Sequence, residues 1–147
     1  RLAGDQHFEW PIVEGEDGEE IDLSEFPPTD SEIHDQAYLQ EVDDGWYAVT
    51  NTEIDLGFAL SYPAEHFESL WYWQAFGGMD ESPFWGRNYT AGLEPTTAYP
   101  GHSYPEAQRA NGTMKTLDAG ETISVELTAS TYGGRERVTS VEGGVVE

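Results

Sequence analysis

The sequence predicts an all-β protein, an antiparallel β-sandwich formed by residues 1–147 as a single domain. Short runs of β-branched and aromatic residues recur along the chain, separated by Gly, Pro and Asn turn signals. Only the segments 63–70 and 104–110 have a composition suited to a helical turn. Several short strands separated by turns are typical of a sandwich or a barrel.

The first distinctive segment is acidic and rich in turn residues. It covers residues 14–35, "EGEDGEEIDLSEFPPTDSEIHD", and Pro27 and Pro28 exclude a continuous helix there. We predict an acidic surface loop. A calcium-binding loop is the alternative, but the carboxylates lack the alternate-position spacing and the closing Glu of a helix-loop-helix calcium site.

The strands are predicted mainly from Gly45 onward. The run "GWYAVTN" ends at Asn51, and "SLWYWQAF" is aromatic on both faces and stops at Gly77–Gly78. Two further runs alternate in the way a half-buried strand does, "DLGFALSYP" at 55–63 and "ETISVELTASTY" at 121–132. The pair Gly133–Gly134 then predicts a turn into a closing hairpin over 135–142.

A predicted strand within "YTAGLEPTTAYPG", residues 89–101, carries a single carboxylate. Strand alternation puts Tyr89, Ala91 and Leu93 on one face, and Gly92 and Glu94 on the other. A Glu among small residues on one face of a strand is either a solvated surface group or a group placed to act on a ligand.

The charge is strongly negative, with 29 acidic and 6 basic residues giving −23. Unlike a disordered acidic tail, the chain also has 5 Trp, 8 Tyr and 6 Phe, which need burial or a ligand. Folded proteins with so much like charge depend on counter-ions, so we expect a salt-adapted cytoplasmic protein. Such a surface repels phosphate backbones and anionic lipids, so we expect no nucleic acid or membrane partner.

Several kinds of site are excluded or weakly supported. The chain has no Cys, which excludes disulfides, thiolate metal sites and Cys nucleophiles. It also begins at Arg1 without an apolar leader, so we expect a soluble protein that was processed or cut from a longer chain. Asp5, His7 and Glu9 would share one face of a strand and could bind a divalent metal, but this pattern is weak in so acidic a chain, and we predict no metal site.

An aromatic set with a few polar neighbours remains for ligand binding. Flat aromatic faces beside amide, guanidinium and carboxylate groups complement the C–H faces and hydroxyl rims of sugars. The alternative for Trp71 and Trp73 is that they belong to the core. The set comprises Trp10, Tyr38, Trp71, Trp73, Gln74, Trp85, Arg87 and Glu94.

The order of the motifs "HFEWP", "HDQAYL", "GWYAVTN", "LWYWQAFGG", "GRNYTAGLEPTTAYP" and "LDAGETISVEL" resembles the galactose mutarotase (aldose 1-epimerase) superfamily. The resemblance covers most of residues 5–132, and the high acidity resembles a haloarchaeal-type member. Members are large antiparallel β-supersandwiches, longer than this chain. The resemblance therefore implies a C-terminal portion whose N-terminal strands, with another sugar-facing His and Arg, are missing.

The resemblance also implies roles for individual residues. Glu94 matches the catalytic base and His7 matches the acid, with His34 as the alternative acid. It implies a small-molecule carbohydrate ligand, anomer interconversion by ring opening and closure, and no metal or organic cofactor. The residues that it implies for substrate contact, together with the aromatic set, are Tyr38, Trp73, Gln74 and Arg87.

Two other classes of function stay open at this point. One is a carbohydrate-binding β-sandwich without turnover, and the other is a structural β-domain of a larger glycan-processing protein. The identity of the sugar is also open, although five Arg and one Lys disfavour a phosphorylated one.

Overall fold

The computed structural model describes residues 1–4, 6–101, 104–134 and 136–147, and it confirms the predicted all-β antiparallel fold. The β1–β2 and β9–β10 hairpins and the pairs β4–β5 and β5–β8 are antiparallel. The strands are β1 Ile12–Glu14, β2 Glu20–Asp22, β3 Ile33–Gln40, β4 Trp46–Asn51, β5 Leu56–Ser61, β6 Ser69–Phe76, β7 Tyr89–Thr96, β8 Thr128–Gly133, β9 Val141–Glu142 and β10 Val145–Val146, and the short helix α1 is Pro105–Ala110.

The chain divides into two compact units. Unit 1 comprises Arg1–Leu39 and Trp71–Glu94, and unit 2 comprises Gln40–Leu70 and Pro95–Glu147. No linker composition marks this division, and the sequence predicted only a single domain. The chain passes from one unit to the other three times, so neither unit is a continuous stretch of sequence.

Unit 1 contains a sheet of order β3-β6-β7 and the β1–β2 hairpin. Leu2, Phe8, Ala91 and Leu93 pack against the core without being fully buried. Because side chains alternate along a strand, one face of the sheet supplies the core and the other carries the intervening residues. One cluster of buried residues in this core comprises Val13, Ile21, Leu23, Ala37 and Tyr72.

The segment 14–35 is not the acidic surface loop that the sequence predicted. It contains β2, which pairs with β1, and it contributes Ile21 and Leu23 to the buried core. The two apolar residues are two positions apart, which is the strand period, but the surrounding carboxylates conceal that pattern. Residues 16–19 form the turn between β1 and β2, and the part after β2, up to the start of β3, is irregular.

Unit 2 contains a sheet of order β4-β5-β8 and the β9–β10 hairpin. The register sets Gly57 opposite both Thr50 and Tyr132. The Tyr132 ring crosses over Gly57, and its hydroxyl forms a 2.6 Å hydrogen bond with the Thr50 hydroxyl. On the same face, Ser130 donates a hydrogen bond to the carbonyl of Gly144, which ties the β9–β10 hairpin to the sheet.

The predicted strand 121–132 is wrong in its first half, because only the residues from Thr128 onward form β8. Thr128 pairs with Ser61, the last residue of β5, so β5 offers no partner to the residues before Thr128. The predicted closing hairpin is also displaced. Its turn is at Gly143–Gly144 between β9 and β10 rather than at Gly133–Gly134, and Arg135 lies outside the described residues.

We expect Gly57→Ala to lower the free energy of unfolding by about 1–3 kcal/mol, because the new β-carbon would overlap the Tyr132 ring. Gly133→Ala is the matched control, since its β-carbon would meet no atom closer than 3.7 Å. Urea denaturation of both variants measures the difference. Equal stability of the two variants would show that Tyr132 does not cross over Gly57.

Candidate functional site

Several of the candidate residues of unit 1 lie on the face of the β3-β6-β7 sheet that does not supply the core. Tyr72 faces the core, so Trp71 and Trp73 point the other way. Tyr38 alternates in the same manner with the core residue Ala37. We call the half-buried set Tyr38, Trp71, Trp73, Phe84 and Glu94 the aromatic face.

Glu94 is on β7, where Ala91 and Leu93 pack against the core, so Gly92 and Glu94 lie on the aromatic face. A β-carbon added to Gly92 would lie 2.6 Å from Glu94 Oε1 and 3.3 Å from Trp73 Cε3. The Glu94 carboxylate therefore folds back over Gly92, beside the indole of Trp73. Because Gly92 has no side chain, the carboxylate has room to lie there.

Edge contacts fix the two indoles of the aromatic face. The rings of Tyr38 and Trp71 are 5.9 Å apart at 84°, and those of Trp73 and Phe84 are 6.0 Å apart at 62°. Both geometries are those of favourable edge-to-face pairs. Phe84 belongs to the loop between β6 and β7, so this loop is packed against the sheet by an aromatic contact.

Gln74, a predicted substrate contact, faces the core instead. It is 1% exposed, and its Oε1 accepts a 2.9 Å hydrogen bond from Arg1 Nη2. Because neighbouring residues on a strand point to opposite faces, Gln74 and Trp73 cannot present their side chains to the same ligand. The sequence prediction placed both in one site and is corrected in this respect.

The core side of the sheet carries a polar group that the sequence analysis missed. Arg1 Nε and the terminal ammonium hydrogen-bond to the two carboxylate oxygens of Asp35 at 3.1 and 3.0 Å. Burial acts to raise the pKa of Asp35, but these hydrogen bonds and that from the Leu2 amide outweigh it, so the pKa lies below 3.8. The strand period was the available signal, because Asp35 is two residues before Ala37 and must share its face of β3.

Neither predicted imidazole lies beside Glu94. His7 is exposed, and its neighbour Phe8 packs against the core, which is on the other side of the sheet from the aromatic face. His34 alternates with Ala37 and so shares the face of Tyr38, but it lies four residues before Tyr38, roughly 13 Å along the strand. No hydrogen bond or ion pair in the described residues joins either His to Glu94.

Arg87 is exposed in the loop before β7, and its amide donates a hydrogen bond to the Phe84 carbonyl. Arg87 lies on the same loop as Phe84. The loop therefore carries one residue of the aromatic face and one exposed guanidinium group. No hydrogen bond or ion pair of the Arg87 side chain occurs in the part of the chain that the structure describes.

No group of three or more Asp, Glu and His side chains that could hold a metal ion occurs among the described residues. Asp5 lies outside those residues, so the structure does not describe the Asp5–His7–Glu9 alternative as a whole. His7 and Glu9 are both exposed. No described helix has the length and apolar character needed to cross a membrane.

Comparison with known proteins gives no match to this chain among family models, curated proteins or solved structures.

Proposed function

We propose that the aromatic face binds a small neutral carbohydrate and that Glu94 acts there as a general base in anomer interconversion, as in an aldose 1-epimerase. The observation that carries the proposal is the Glu94 carboxylate over Gly92, beside Trp73, within a set of four aromatic rings. Aromatic faces pack against sugar C–H groups, and an adjacent carboxylate can accept a proton from a hydroxyl. The motif order that resembles the galactose mutarotase superfamily supports the same activity.

In the proposed reaction Glu94 removes the proton of the anomeric hydroxyl, and an acid protonates the ring oxygen as the C1–O5 bond breaks. Rotation about C1–C2 presents the other face of the aldehyde, and the reverse proton transfers close the ring as the other anomer. The resemblance assigns the acid to His7, with His34 as the alternative. The described contacts support the base and the binding face, and the acid rests on the resemblance alone.

A carbohydrate-binding module without turnover is the second candidate. It is favoured by the absence, among the described contacts, of an imidazole beside Glu94. In this reading Glu94 hydrogen-bonds to sugar hydroxyls and transfers no proton. Both candidates use the same aromatic face, so they make the same prediction for binding and different predictions for anomeric exchange.

The net charge of −23 supports a salt-rich cytoplasm as the setting. The small number of basic residues supports a neutral ligand. With five Arg and one Lys in the whole chain, few cations are available for a phosphate group. Arg1 is held by Asp35 and Gln74, and Lys115 is paired with Glu68, which reduces the number further.

We expect Trp73→Ala to weaken binding of the best aldose by about tenfold, since a stacked aromatic contact is lost. Calorimetric or NMR titration with a panel of free aldoses provides the affinities, and urea denaturation gives the stability of each variant. Trp10→Ala is the matched control, because the ring centroids of Trp10 and Tyr72 are 6.3 Å apart on the core side of the sheet. This variant should alter the stability and leave the affinity unchanged.

Three results would contradict the proposal in whole or in part. Failure of the wild-type protein to bind any aldose at molar KCl would remove both carbohydrate readings. Unchanged affinity of Trp73→Ala together with a loss of about 3–5 kcal/mol in unfolding free energy would make Trp73 a core residue. Binding by the wild type with anomeric exchange at the uncatalysed rate would select the binding module.

A further inference from the structure

The segment before β8 has a strand-like sequence but no strand partner. Ile123, Val125 and Leu127 alternate with polar residues and are 47%, 41% and 45% exposed. From Thr122 to Leu127, the backbone makes no hydrogen bond to any described residue. A row of exposed apolar side chains on a backbone with free N–H and C=O groups is a template for strand addition.

The position of this segment in unit 2 strengthens the inference. Within the described residues β8 is an edge strand of the β4-β5-β8 sheet, and the segment leads directly into it. Natural edge strands are usually protected by Pro, by Lys or by a bulge. The stretch 121–132 contains neither Pro nor Lys, and Glu121 and Glu126 are its only charges.

The segment "TISVELT" has the same alternation of polar and apolar residues when it is read in either direction. Antiparallel pairing of two copies about Val125 sets Val125 opposite Val125, Ile123 opposite Leu127, and Thr122 opposite Thr128. It also sets each Glu126 opposite a Ser124, so no two charges are directly opposed. Aligned apolar pairs and Thr pairs are the combinations that stabilise an antiparallel ladder.

We propose that residues 122–128 form an intermolecular antiparallel strand pair with a second copy of this chain, centred on Val125, and so make a two-fold dimer. A two-fold axis through the centre of the pair uses the same surface on both copies, as closed dimers do. This inference concerns unit 2 only and does not depend on the proposed carbohydrate activity.

The charge of the chain predicts how the dimer responds to salt. The two Glu126 side chains become diagonal neighbours on one face of the pair, about 7–8 Å apart, and each copy carries a net charge of −23. At about 1 M salt the Debye length is about 3 Å, shorter than the Glu126 separation, so the repulsion is screened. The dimer should therefore form at molar KCl and dissociate as the salt is lowered.

Cysteine cross-linking tests the register directly, because the chain has no Cys of its own. Val125→Cys should form a disulfide-linked dimer under mild oxidation at molar KCl, since directly opposed strand positions bring the β-carbons within disulfide range. Ile123→Cys alone should not cross-link, but a mixture of Ile123→Cys and Leu127→Cys should. Ile54→Cys, at a 64% exposed position in the β4–β5 turn, is the control for random collision.

Analytical ultracentrifugation at molar KCl gives the equilibrium side of the test. Val125→Lys places two lysines in direct opposition and should raise the dimer dissociation constant at least about tenfold, although it reduces the net negative charge. Ile54→Lys adds the same charge elsewhere and should leave the dimer intact. A wild-type monomer at all concentrations, a dimer that Val125→Lys does not weaken, or cross-linking no faster than for Ile54→Cys would overturn the proposal.

Discussion

Replacing Glu94 with Gln should slow anomer interconversion by about 10²- to 10⁴-fold, the contribution of a positioned general base. Gln keeps the shape of Glu and its hydrogen-bonding reach, but its amide cannot accept the proton of the anomeric hydroxyl. Sugar affinity and the free energy of unfolding should change little, because the side chain is half-buried and makes no described ion pair. Polarimetry and NMR exchange on purified anomers measure the rate, with wild type and variant compared in the same buffer.

A second variant separates the position of the carboxylate from its chemistry. Gly92→Ala keeps Glu94 but puts a β-carbon 2.6 Å from its present Oε1 position, so the carboxylate must move. We expect a reduced rate with Gly92→Ala as well. Thr90→Ala, on the same face of β7 but at its exposed start, is the control and should retain wild-type turnover. Wild-type rates in Glu94→Gln would show that another group is the base, whatever the ligand.

Raising KCl from about 0.1 M to molar concentration should raise the melting temperature by many degrees. The chain carries 29 acidic residues against 6 basic ones, and two of the ion pairs among the described residues are Arg1–Asp35 and Lys115–Glu68. Most carboxylates therefore repel one another without a nearby cation. Because the Debye length falls from about 10 Å to about 3 Å over this range, the repulsion that opposes the compact state is largely removed.

Acid should also lower the stability, through the Asp35 carboxylate. Its pKa is lowered in the folded state, so its stabilisation is present above the unfolded value of 3.8 and is lost as the pH falls through the folded value. Calorimetry at low and molar KCl that gave one melting temperature would contradict salt adaptation.

The sequence by itself determined the class of the fold and several of its elements. The run ending at Asn51 is β4, the aromatic run ending before Gly77 is β6, and "YTAGLEPT" is β7, because β-branched and aromatic residues bounded by turn signals are a local property of the chain. The alternation in β7 also correctly placed Gly92 and Glu94 on the face away from the core. The short helix α1 lies within the segment 104–110, whose composition suited a helical turn.

Only the tertiary structure decided which face of each strand is buried and which strands have partners. Gln74 and Trp73 are adjacent in a run with aromatic residues on both faces, so the sequence does not show which face is buried. Val13 and Ile21 of the β1–β2 hairpin pack against Tyr72, and the face of Tyr72 and Gln74 is therefore the core face. The run 121–132 has one uninterrupted alternation, yet it becomes a strand only from Thr128, where β5 supplies a partner. Periodicity is a property of the local sequence. Hydrogen-bonding partners and burial are supplied by segments far away in the chain, so a single run of residues cannot specify either of them.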